Sequence, residues 1–148
     1  MPLELAPLRL ALLHSPDFIP PLRFRGLSVI TVHDLAFLLY HELLTRESAR
    51  YYGQIDAAVE RADHIIAVSQ CTKNDLMRLL GVPESKITVV YEAANPMYRP
   101  IERRKALRRV KELFGLDKPF ILFVSTIEPR KNVPTLLKAY RLLLDRSR

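Results

Sequence analysis

Apolar residues follow two rhythms along this chain. Short runs are apolar on both parities: "SVITVH" at 28–33, "HIIAV" at 64–68, "KITVVY" at 86–91 and "FILFV" at 120–124, with a weaker run "ALLH" at 11–14. Such runs predict strands buried on both faces. Between them the spacing turns helical. Over 46–62, Tyr51, Ile55, Ala58, Val59 and Ala62 fall on one stripe. The segment "QCTKNDLMRLL" reads as a helix capped by Ser69 and ended by Gly81. The strongly basic 102–114 reads as a helix with Leu107, Val110 and Phe114 inward and Gly115 at its end. Residues 133–146 predict a helix packing Leu136, Leu137, Tyr140, Leu143 and Leu144. "SPDFIPP" is a Pro-rich loop, and "EAANPMYRP" at 92–100 a linker. Strands of this kind alternating with amphipathic helices predict an α/β fold: a Rossmann-like parallel sheet with flanking helices.

Composition narrows the function classes only a little. The 148 residues carry 23 Lys and Arg against 16 Asp and Glu, a formal charge of +7. That surplus favours phosphates, nucleic acid or an anionic membrane without choosing among them. A single cysteine, Cys71, excludes an internal disulfide and reads as a small buried residue. No apolar run reaches the ~20 residues of a membrane span, and the N-terminus lacks the basic start of a signal peptide. The four glycines build neither GxGxxG nor a P-loop. There is no His or Cys cluster with zinc spacing and no Asp-x-Asp, so no metal is expected.

Ligands of open parallel sheets bind at the carboxyl ends of strands. Those ends carry His33-Asp34, Ser69, Glu92 and the loop "STIEPRKN". His33 can handle protons near neutrality; the plainer alternative is a strand-end histidine satisfied by main chain, beside Asp34 in an Asx turn. Ser69 and Thr72 read as helix caps. In the last loop Pro129 keeps Glu128 out of the α region, and Asn132 can cap the next helix. Arg130 and Lys131 then stand at a helix N-terminus, where an anion such as a diphosphate would relieve their repulsion. The alternative is ordinary solvated surface.

Four segments in order, "VITVHDL" (29–35), "ADHIIAVSQCTKNDL" (62–76), "ITVVYEAANPMYRP" (87–100) and "PFILFVSTIEPRKNVPTLLKAY" (119–140), together resemble glycosyltransferase family 4, the large retaining GT-B group. The likeness is greatest to mannosyltransferase-like members that make bacterial surface polysaccharides. It implies two Rossmann-like domains facing across a cleft. Residues 1–95 would be the later half of the N-terminal, acceptor-side domain, and 96–118 the crossover with its basic helix. Residues 119–148 would be the first strand and helix of the C-terminal, donor-side domain. His33 matches the family histidine near the transferred sugar, and Lys131 the lysine on the donor diphosphate. Ser125-Thr126 stand where relatives carry a glycine and then an arginine, so Arg130 is the substitute expected there, with Thr126 a further candidate for the donor diphosphate. Asn95 stands where many relatives have aspartate. Asp34, Ser69 and Glu92 complete the strand-end candidates.

The resemblance therefore implies glycosyl transfer with retention, from a nucleotide-diphosphate sugar to a saccharide or lipid-linked acceptor, without a cofactor. It implies a cytoplasmic protein whose basic surface would tolerate peripheral membrane contact. The family's first strand with its Gly-rich loop and its paired-glutamate motif are missing, so the chain alone is expected to be an inactive piece. The rival is a basic, non-catalytic binding module on the 103–111 helix. No base-reading motif or stacking-aromatic pattern supports nucleic acid as its partner.

Overall fold

The computed structural model describes residues 10–20 and 24–146. They form two compact units, Met1–Ala93 and Ala94–Arg148.

The first unit holds a sheet of four parallel strands in the order β1-β2-β3-β4. The strands are β1 (Leu12–Ser15), β2 (Leu27–Val32), β3 (His64–Ala67) and β4 (Ile87–Val89). In β2 and β3, Ile30 pairs with Ile65 and Val32 with Ala67, and all four are fully buried. That burial is why the runs read as apolar. β1 lies at the edge and is half exposed. Its junction with β2 is tight: a Cβ at Gly26 would stand 2.6 Å from the Ala11 carbonyl, the group that accepts from Leu27 N at 2.9 Å. At the start of β2, Ser28 N donates to the Asp63 carboxylate (2.7 Å) and Asp63 N donates back to Ser28 O (2.8 Å), fixing the register with β3.

Between β2 and β3 run three short helices, α1 (Ala36–Leu39), α2 (Arg46–Tyr52) and α3 (Ile55–Arg61), with a 3-10 turn at His41–Leu43. The predicted continuous helix 46–62 is thus two. Gly53, a poor helix former, stands at the break, and Gln54 donates through its main chain and its side chain to Tyr51 O. The predicted stripe is buried at Ile55, Ala58, Val59 and Ala62, but Tyr51 is 40% exposed. The apolar segment holding α1 was not assigned from sequence, because four residues are too few to show a period. Between β3 and β4 lies α4 (Gln70–Leu80). Ser69 Oγ accepts from Thr72 N at its start, and Gly81 adopts φ +64° at its end, both as predicted. Lys86 donates to the last carbonyls of α3, Val59 O (2.7 Å) and Glu60 O (3.1 Å). A cation there complements the helix C-terminus. Residue 86 itself closes the 3-10 turn Glu84–Lys86, its N donating to Pro83 O, so β4 begins at 87. Cys71 is exposed, correcting the expectation of a buried thiol; it sits at the first turn of α4, off the buried face of Thr72 and Leu76.

The second unit consists of α5 (Arg103–Phe114) and α6 (Val133–Arg146) with a 3-10 turn at Pro129–Lys131. Gly115 ends α5 at φ +68°. Here the packing expectations fail. Segment 120–124 forms no strand, because none of the described residues of this unit offers it a neighbouring strand, and a lone strand leaves its amides to water. Leu107, Phe114 and the α6 residues Leu136, Leu137, Tyr140, Leu143 and Leu144 are exposed, and Val110 is only half-buried. Periodicity marks an apolar face without saying whether anything covers it.

Candidate functional site

His33 directly follows β2, in the loop 33–35. Its carbonyl accepts from Thr72 Oγ1 at 3.0 Å, and Thr72 is buried in the first turn of α4. The main chain at the strand end is thereby fixed to a second element. The imidazole is held on both sides. Nε2 lies 3.0 Å from the Pro16 carbonyl, and Nδ1 lies 3.0 Å from the Glu92 carboxylate, just beyond β4. A carbonyl only accepts, so Nε2 donates. In the neutral ring this leaves Nδ1 as the acceptor nitrogen, and the doubly protonated ring pairs with Glu92.

Beside His33 opens a cleft of about 280 Å³, lined by Asp17, Phe18, Asp34, Phe37, Tyr51 and Tyr52 with His33 itself. Its wall is aromatic: Phe37 and Tyr52 stack at 4.4 Å, and Phe18 meets Phe37 at 5.9 Å and Tyr51 at 5.5 Å. Its lip is polar. Tyr51 donates its hydroxyl to Asp17 Oδ2, and Asp17 Oδ1 accepts from Phe18 N at 2.7 Å. The hydrogen bond to Asp17, helped by burial and the nearby negative charge, pushes the Tyr51 phenol up to about 12. Asp34 Oδ1 accepts from Ala36 N, so Asp34 both makes the anticipated Asx turn and lines the cleft. An apolar wall with a few convergent polar groups is the usual make-up of a small-molecule site.

Of the residues singled out in this unit, His33, Asp34 and Glu92 come together. Ser69 is a helix cap, bonded to Thr72 N and Oγ1, and does not line the cleft. Asp17 and Tyr51 were missed. Asp17 sat in what reads as a plain Pro-rich loop. Tyr51 fell on a core stripe, where its hydroxyl was the sole hint of a polar role.

The second unit gathers Thr126, Glu128, Arg130 and Lys131. Thr126 Oγ1 donates to Glu128 Oε1 (3.1 Å), and Arg130 bridges the same carboxylate oxygen at 3.1 Å. The Thr126 hydroxyl and then the Arg130 guanidinium hold the Glu128 carboxyl below its ordinary range. Arg130 is therefore already neutralised in part. The Lys131 ammonium makes no hydrogen bond or ion pair among the described residues. Asn132 is left-handed (φ +48°), a conformation asparagine tolerates. Its side chain does not cap α6; its carbonyl accepts from Thr135 N and Leu136 N instead. Pro134 has no N–H, so the helix start offers an anion fewer amides than its position suggests. Asn95 shapes a turn, accepting from Met97 N through Oδ1 and from Tyr98 N through its carbonyl. Among the described residues no cluster of three potential metal ligands occurs, and no helix is long and apolar enough to cross a membrane.

A parallel Rossmann-like sheet with a histidine cleft at its strand ends is an α/β scaffold of the kind that binds ligands at strand ends, and comparison fixes the family. The sequence model of glycosyltransferase family 4 matches residues 2–97, and the chain belongs to that family. Among its relatives is an Escherichia coli protein named O-antigen chain mannosyltransferase B, 28% identical over 131 residues, which span 88% of this chain and 34% of that protein. The serotype-specific mannosyltransferase WbdA of Escherichia coli is 29% identical over 78% of this chain and 15% of its own length. D-inositol 3-phosphate glycosyltransferase 2 of Catenulispora acidiphila is 32% identical over 67% of this chain and 23% of its own. The chain thus spans about a third or less of the length of these relatives.

Proposed function

We propose that this chain forms part of an enzyme that transfers a hexosyl group, mannose in particular, from a nucleotide-diphosphate sugar to a saccharide or lipid-linked acceptor with retention. The observation that carries the reading is His33, oriented from both ring nitrogens at the mouth of an aromatic-walled cleft. The family match and the relatives' names support the reaction class and the sugar.

The two ring contacts of His33 are unequal. Pro16 contributes a main-chain carbonyl, whereas Glu92 contributes a side chain that is 66% exposed. Glu92 is the partner a substrate can displace. Nδ1 is therefore the nitrogen that meets the sugar, accepting from a hydroxyl in the neutral ring, while Nε2 stays anchored. The bond that breaks joins the anomeric carbon to the diphosphate, and the departing oxygen gains negative charge. Lys131, which matches the family lysine on the donor diphosphate, is the cation we assign to meet it, with Arg130 and Thr126 as its neighbours in the same loop. Preorganised charge of this kind stabilises a transition state without metal. No protein nucleophile is assigned. We take the 148-residue chain by itself to be inactive, since the family's paired-glutamate motif for the donor is not in it. Residence in the cytoplasm with peripheral membrane contact fits the basic surface and is part of the same proposal.

Steady-state kinetics on a complete enzyme carrying this sequence test the reading. His33→Ala is expected to lower kcat with little change in donor KM. Lys131→Ala is expected to cost about 2–4 kcal/mol of transition-state stabilisation, and more than Arg130→Ala, whose charge Glu128 already offsets. Wild-type turnover in His33→Ala would refute the role, and turnover by the 148-residue chain alone would refute its inactivity.

A further inference from the structure

The fixed anchor of the His33 ring is a main-chain carbonyl, so the aim of the imidazole is as good as the loop that carries Pro16. That loop is fastened at the very next residue. Asp17 spends one carboxylate oxygen on Phe18 N and the other on the Tyr51 hydroxyl of α2. Phe18, 4% exposed, is set among Phe37, Tyr51 and Tyr52. The Asp17–Tyr51 bond lies at the surface, where a phenol–carboxylate contact adds little to global stability. Its geometric effect is direct, because it ties α2 to the peptide adjoining the carbonyl that His33 holds.

We propose that Asp17 and Tyr51 are positioning residues for His33: together they fasten the Pro16 carbonyl, which fixes the Nε2–H tautomer and leaves Nδ1 as the acceptor nitrogen on the Glu92 side. The functional consequence rests on the transfer reading above; the anchoring itself does not. A displacement of about 1 Å at a reacting group costs up to ~100-fold in rate, so a surface hydrogen bond two residues removed from the ring can matter to turnover.

The test begins with the chain as it is, using ring ¹⁵N–¹H correlations of its four histidines. His14 and His64 serve as internal controls, each paired through Nε2 with a threonine hydroxyl, Thr31 and Thr88. In the wild type His33 is expected to show a protected Nε2–H signal. Tyr51→Phe, which keeps the ring in the aromatic cluster, and Asp17→Ala should each lose it while the controls stay in place. Asp17→Asn, which retains a carbonyl acceptor, should recover part of it. An unchanged His33 signal in folded Tyr51→Phe overturns the proposal, whatever Asp17→Ala does to folding. In the complete enzyme, Tyr51→Phe should lower kcat about tenfold with donor and acceptor KM nearly unchanged. A rise in acceptor KM at constant kcat would make these residues substrate contacts and overturn the positioning role. If His33→Ala leaves turnover intact, the transfer reading fails, and the ring signals still decide the anchoring.

Discussion

Tyr51 ties one residue's ionisation to the stability of the site. Its phenol is raised from the ordinary 10.0 to about 12, chiefly by donating to Asp17. The folded state thus holds the proton more tightly than the unfolded chain does. The stabilisation this brings is fully present below pH 10 and is lost as pH climbs from about 10 through about 12. Tyr51 is 40% exposed, so the effect is local and screened. In a spectrophotometric titration the absorbance step of Tyr51 should appear near pH 12 and vanish in Tyr51→Phe. The same substitution should flatten the alkaline decline in melting temperature. If the absorbance lost in Tyr51→Phe lies near pH 10 instead, the Asp17–Tyr51 bond does not persist in solution.

At the scale of elements, α4 couples sequence signal to site geometry most directly. Ser69 caps it, and one turn in, Thr72 reaches the His33 carbonyl. Ser69→Ala should destabilise the first unit by about 1 kcal/mol, read as a shift of the urea midpoint at constant slope. If the midpoint holds, the cap is made by solvent instead. Ser69, Gly81 and Gly115 were legible in the sequence because caps are local: residue type and neighbours within one turn decide them. The buried strands β2 and β3 were legible for a similar reason, since burial on both faces leaves a run with no polar gaps. The break at Gly53 was not, because Tyr51 and Ile55 keep the stripe in phase across it. The candidate site was half legible. His33, Asp34 and Glu92 follow from the rule that strand ends carry ligands. The Asp17–Tyr51 contact joins residues 34 positions apart, and no local pattern encodes such a pair.

At the scale of the molecule, the two units differ in how far they satisfy their own apolar surface. The core, from Phe18 to Ile87, lies wholly in the first. From Tyr91 to Arg146 no residue is buried. Segment 120–124 exposes Ile121 at 69%, Leu122 at 74% and Val124 at 83%, with main-chain groups that join no sheet, and α6 adds Leu136, Leu137 and Leu144. An apolar, β-branched, unpaired segment is a template for strand addition. Burying one such side chain is worth about 1.5–3 kcal/mol, against an association cost of roughly 4–15 kcal/mol. One strand alone is therefore marginal, and strand plus helix face is enough for micromolar self-association. The net charge of +7 opposes it through repulsion, which salt screens. The isolated chain should thus sediment as a mixture of monomer and larger species at micromolar concentration, and the larger species should grow with added salt. Leu122→Lys with Val124→Lys places two charges on the exposed segment and should return the chain to monomer without lowering the melting temperature of the first unit, whose core neither residue enters. A wild-type chain that sediments as monomer alone, at low and high salt, would show that these apolar residues find cover within the chain itself.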